Sequence, residues 1–131
     1  MNPMWRPFFL VAALYDIILG AAFFLLFDPL FELLGIPLPG NTSYIHLTAA
    51  FVFTQGLGYW FVYQAPIANR GIVKIGVVYK FMFSALAAYY LAIGELLHPT
   101  FAVFGALDVL FLIGFVLFLR EVRAPESPLA A

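Results

Sequence analysis

Four long apolar runs set the limits on what this chain can become. They cover residues 8–27, 44–63, 71–93 and 101–119. Each is close to the roughly 20 residues that an α-helix, rising about 1.5 Å per residue, needs to cross a hydrocarbon core about 30 Å thick. Continuous apolar runs select helices as the spanning element, because a helix pairs all of its own backbone N–H and C=O groups. The connections are short. The chain is therefore expected to form a single transmembrane domain over residues 1–131: an all-α membrane protein built as a four-transmembrane-helix bundle. Composition agrees. Of its residues, 65% are hydrophobic and 10% charged, where a soluble domain has about 45–50% and about 25%. A secretory signal is a poor account of the first run, which is long, is interrupted by Asp16 and is not followed by a small-residue cleavage site.

Basic residues give an orientation. Arg6, Arg70, Lys74, Arg120 and Arg123 fall at the N-terminus, the second connection and the C-terminal tail, while the first and third connections carry Asp28, Glu32, Glu95 and His98. The positive-inside bias then puts both termini in the cytoplasm of a multi-pass protein. Trp5, Tyr44, Trp60, Tyr63, Tyr89 and Tyr90 lie near run ends, as an interfacial aromatic belt requires. A net charge of −1 gives no sign of nucleic-acid binding. Cysteine is absent, which removes disulfides, thiolate metal sites and thiol redox chemistry.

The first outer connection stands apart. Asp28-Pro29 is expected to stop the first helix. The apolar segment from Leu30 to Ile36 then predicts a short helix lying in the outer interface, before Pro37, Pro39 and Gly40 force a turn. A plain connecting loop and a lid over a site are the other readings.

Three ionisable residues lie deep inside apolar runs: Asp16, Lys80 and Asp108. An unpaired charge at such depth costs between about 3 and more than 10 kcal/mol. Counted from the inner ends of their runs, Asp16, Gln55, Lys80 and Asp108 all come out about 13–18 Å deep at the helical rise. Four helices thus each send one polar side chain into the same layer. Their faces agree. Gly76, Lys80, Ser84, Ala88 and Ala92 recur every fourth residue, and small residues at that spacing mark close helix approach. Ala12, Asp16 and Gly20 share a face, as do Gly105 and Asp108. Ala50, Thr54 and Gly58 run beside Gln55 and Tyr59. The expected polar centre, for binding or proton transfer, is Asp16, Gln55, Tyr59, Lys80, Ser84 and Asp108. Two acids against one base leave one carboxylate to be balanced by a proton or a bound cation, and Lys80 should favour one acid as its partner. The bland alternative is a salt bridge that only glues helices together.

Other candidates carry less. Arg70 and Lys74, near the inner surface, suit contact with lipid headgroups or a phosphate. His46 and His98 could share a haem or metal, although lone histidines more often sit at interfaces. A faint repeat pairs Asp28-Pro29 with His98-Pro99 and Tyr15-Asp16 with Tyr79-Lys80, which would fit two duplicated hairpins. No nucleotide-binding, zinc-protease or serine-hydrolase motif occurs.

The segments Val11-Ala12-Ala13-Leu14-Tyr15-Asp16, Asn69-Arg70-Gly71 leading to Lys80, and Ala106-Leu107-Asp108-Val109 resemble small four-helix bacterial membrane proteins of the broadly DoxX-like group. The resemblance implies a bacterial cytoplasmic membrane. It carries no catalytic residues over, and only by analogy with quinol oxidation does it bring in a quinone. Three functions compete: binding or translocation of a small molecule or proton, in an accessory subunit or a homo-oligomer; an enzyme acting on a lipophilic substrate such as a quinone or isoprenoid lipid; and a structural subunit of a larger membrane complex. The lipid bilayer is a partner in each.

Overall fold

The computed structural model describes residues 2–123. Five helices follow in order: α1 (Trp5–Leu25), α2 (Phe27–Leu34), α3 (Ser43–Gln64), α4 (Arg70–Ala92) and α5 (Pro99–Glu121). Among the described residues there is no strand. By length and composition α1, α4 and α5 can each cross a membrane, which marks the chain as a helical membrane protein. The four-span expectation is met less fully. α3 has the length, at 22 residues, but His46, Thr48, Thr54, Gln55 and Gln64 dilute its apolar character.

Chemistry at the boundaries explains the breaks. A continuous first helix would need Pro29 to donate an N–H to the Leu25 carbonyl, and proline has none. α1 accordingly ends at Leu25, Leu26 N–H bonds back to Ala22 O at 2.8 Å, and the chain restarts as α2. α2 closes on Gly35 at φ 72°, with Gly35 N–H bonded to Glu32 O at 3.1 Å and Ile36 N–H to Phe31 O at 2.9 Å. That pair of bonds satisfies two end carbonyls and needs the left-handed residue only glycine adopts without cost. Phe31 and Ile36 are buried, while Leu33 is exposed. α5 opens with Pro99 at its first turn and His98 as its cap.

The helices form two tight pairs, α1 along α3 and α4 along α5, with only slight contact between α3 and α4. Glycine makes the first pair tight. A Cβ at Gly20 would lie 2.5 Å from Phe53 N, and one at Gly56 would lie 2.6 Å from Ile17 N. The α1 and α3 backbones therefore touch, the means by which helices associate in lipid, where apolar burial gives no net drive. In the second pair Gly105 faces a side chain instead: a Cβ there would lie 3.1 Å from Ala87 Cβ.

Aromatic side chains join the pairs. Phe9 meets Phe118 at 4.9 Å between ring centroids, Tyr59 meets Phe115 at 5.0 Å, and Trp5 meets Phe118 at 5.5 Å. With Ala12, Ala13, Val62 and Val73 they form a core where α1 begins and α5 ends, the terminal end of the bundle. Arg6 donates to Tyr63 O at 3.1 Å, and the Trp5 indole N–H donates to the Glu121 carboxylate, at the same end.

Two expected small-residue stripes are corrected. On α4 the interior face runs Gly76, Lys80, Ser84, Ala87, whereas Ala88 and Ala92 are exposed. A four-residue step overshoots a 3.6-residue turn by about 40°, so the stripe drifts off the interface and must be reset by a three-residue step. On α3 the close contact to α1 is made by Ala49, Phe53 and Gly56. Thr54 is exposed, and Gly58 faces Ile72 of α4.

Candidate functional site

Asp16 on α1, Lys80 on α4 and Asp108 on α5 meet in the bundle interior. Lys80 Nζ lies 3.0 Å from Asp16 Oδ1, 3.2 Å from Asp16 Oδ2 and 3.0 Å from Asp108 Oδ1. Relative exposures of 1% for Asp16, 1% for Lys80 and 4% for Asp108 make this a dry layer. Lysine contacts both acids rather than one alone, Asp16 through both carboxylate oxygens and Asp108 through a single one. An ammonium has three N–H donors, and its flexible stem absorbs the difference in height between the two acids.

Aromatic rings enclose the ammonium. The ring centroids of Tyr15, Phe111, Tyr79 and Tyr59 lie 5.2, 5.2, 5.4 and 5.6 Å from Nζ. Each presents a cation within reach of a π-face, which compensates part of the lost hydration. Gly76 leaves the room Tyr59 occupies. The Tyr15 hydroxyl oxygen is buried without a hydrogen-bond partner among the described residues.

Of the expected polar centre, Asp16, Lys80 and Asp108 make direct contact, and Tyr59 packs beside them. Gln55 joins only through Tyr59, donating from Nε2 to the phenol oxygen at 3.2 Å. Ser84 serves the backbone instead. Its hydroxyl lies 2.7 Å from Lys80 O and 3.2 Å from Gly105 O, tying α4 to α5. A serine on a helix commonly bonds its own i−4 carbonyl, which turns the hydroxyl away from a site at the level of that residue's side chain. The residues missed are Tyr15, Tyr79 and Phe111. For the two tyrosines a signal existed: each directly precedes a charged residue of the layer.

Beyond the layer, on the side of α2, lies a cavity of about 260 Å³ with walls from all five helices. Gly20, Val52, Phe83 and Phe104 line it. Each is one helical turn further along its helix from Asp16, Gln55, Lys80 and Asp108 respectively, so the ionic layer lies about 5 Å beneath the cavity floor. Phe31 of α2, Tyr44 and Phe101 line the far side. The size is near the lower limit of small-molecule pockets, about 300 Å³.

The remaining candidates separate. His98 caps α5, its Nδ1 accepting from Thr100 N at 3.1 Å. His46 packs against Phe24 and Phe27 at 4.9 and 4.8 Å between ring centroids. Among the described residues no group of three or more His, Cys, Asp or Glu is arranged to hold a metal. Arg70 opens α4, and Lys74, a turn further on, borders a groove with Arg120 and Arg123.

Compared with known proteins, the chain matches no family model, no curated protein and no solved structure.

Proposed function

We propose that this is a four-span membrane protein that takes a small lipophilic molecule into the cavity above the Asp16–Lys80–Asp108 layer. α3 is the fourth span: its length equals a bilayer crossing, and its close backbone packing on α1 gives its polar residues an interior face. α2 lies in the outer interface with Phe31 inward and Leu33 outward. Both termini are cytoplasmic, and the membrane is the bacterial inner membrane that the DoxX-like resemblance implies.

The observation that carries the reading is an apolar cavity, walled by all five helices, one helical turn above a buried charged layer. Apolar walls bind by shape. The ionic layer lies one turn below Gly20, Val52, Phe83 and Phe104 and does not itself line the cavity, whose walls are almost wholly apolar. A small lipophile such as a quinone or isoprenoid lipid suits those apolar walls, with the Tyr44 and Thr48 hydroxyls as the polar groups of the lining.

Translocation coupled to protons is the second reading, favoured by the excess of one acid over the bases in the layer. Extraction of the purified protein followed by mass spectrometry tests the primary reading. A defined lipophile retained in stoichiometric amount is expected. A preparation that retains only bulk phospholipid would contradict it.

A further inference from the structure

Lys74 on α4 and Arg120 and Arg123 at the end of α5 border a single groove of about 350 Å³ whose floor is Val77, Val116 and Leu119. All three cations are exposed, and among the described residues none is paired with a carboxylate. The neighbouring acid, Glu121, is turned to the opposite side, where it accepts from Asn2 N at 2.7 Å and from the Trp5 indole. The helix termini do not decide the field, since the positive start of α4 and the negative end of α5 meet here and offset each other. The side chains do, and they sum to a strongly positive rim.

We propose that this groove binds the phosphate headgroup of an anionic phospholipid in the leaflet at the terminal end of the bundle. Arginine forks suit phosphate oxygens, and Lys74 adds a third donor. The apolar floor begins one turn deeper than the cations, where the first carbons of an acyl chain would lie. Free phosphate would use the rim and leave the floor idle, so the floor selects a lipid. The cations stand at the level where juxtamembrane basic residues meet anionic lipids. The site is separate from the cavity above the ionic layer and holds for either orientation of the bundle.

The test is native mass spectrometry of the full chain released from nanodiscs of phosphatidylglycerol mixed equally with phosphatidylcholine. Wild type should retain phosphatidylglycerol preferentially. The triple variant Lys74→Gln, Arg120→Gln, Arg123→Gln should lose more than about tenfold of that preference, and Arg123→Gln alone, beyond the last helical turn, roughly fivefold. Arg6→Gln, at the same end but outside the groove, should keep it. Unchanged preference in Arg123→Gln and the triple variant would overturn the proposal. So would an equal loss in Arg6→Gln, which would mean diffuse surface attraction. Displacement of the lipid by millimolar inorganic phosphate would show a free-anion site and overturn it as well.

Discussion

Gly76 exists to make room for Tyr59: a Cβ at Gly76 would lie 2.8 Å from the Tyr59 hydroxyl oxygen and 3.0 Å from Phe115 Cε2. Both rings are fully buried, so neither has anywhere to go. Gly76→Ala should therefore destabilise the protein by about 1–3 kcal/mol despite alanine's better helix propensity. Gly71, in the same helix, has nothing near its missing Cβ, and Gly71→Ala should be neutral or stabilising. Thermal unfolding of both variants in detergent checks the contrast, and equal effects would remove the assigned role of Gly76.

The α1–α3 contact predicts a non-additive pair. Gly20→Ala and Gly56→Ala each force a methyl against backbone of the facing helix, which cannot rotate away. Once one substitution has parted the helices, the second finds the gap already open. Each single variant should lose about 2 kcal/mol or more, and the double variant clearly less than the sum. The check is a double-mutant cycle in thermal stability.

Lys80 should be coupled to both acids. Lys80→Met strands two buried carboxylates and should cost about 3–5 kcal/mol. Adding Asp16→Asn or Asp108→Asn removes one stranded charge and should restore part of the loss. Because Lys80 holds Asp16 through both carboxylate oxygens and Asp108 through one, both substitutions should rescue, each in part. Strict additivity would mean that the three groups do not share a site.

The assigned topology predicts that reporters fused at Asn41 and Glu95 lie outside the cell and that one fused at Ala68 lies inside. An internal signal at Asn41 or Glu95 would overturn it.

Much of this arrangement was legible in the residues. The depth of Asp16, Lys80 and Asp108 along their runs put them in one layer, because helical rise converts position into height directly. Rotation is harder to read. Ser84 lies on the same face as Lys80 by spacing, yet its hydroxyl bonds backward to a carbonyl, and Ala88 drifts out where Ala87 turns in. Phe111 was hidden for another reason. In lipid an aromatic residue is as stable outside the bundle as inside, so hydrophobicity does not mark the rings that face Lys80. A short helix was legible after the first run, but over residues 30–36 instead of Phe27–Leu34, because Pro29 sits in the first turn of the new helix rather than ahead of it, and Gly35, not the later prolines, ends it.

The central claim is that the cavity above the ionic layer holds a small lipophile. Val52 is the residue to change, since it lines the cavity without touching the charged groups. The measurement is equilibrium binding of a short-chain quinone and of a medium-chain alcohol to the purified protein, wild type against Val52→Phe, with thermal stability recorded on both. Saturable binding of at least one probe to wild type is predicted, weakened about tenfold or more when the phenyl ring fills the space while the fold stays intact. Equal binding by both proteins, or no saturable binding to wild type, would contradict the account.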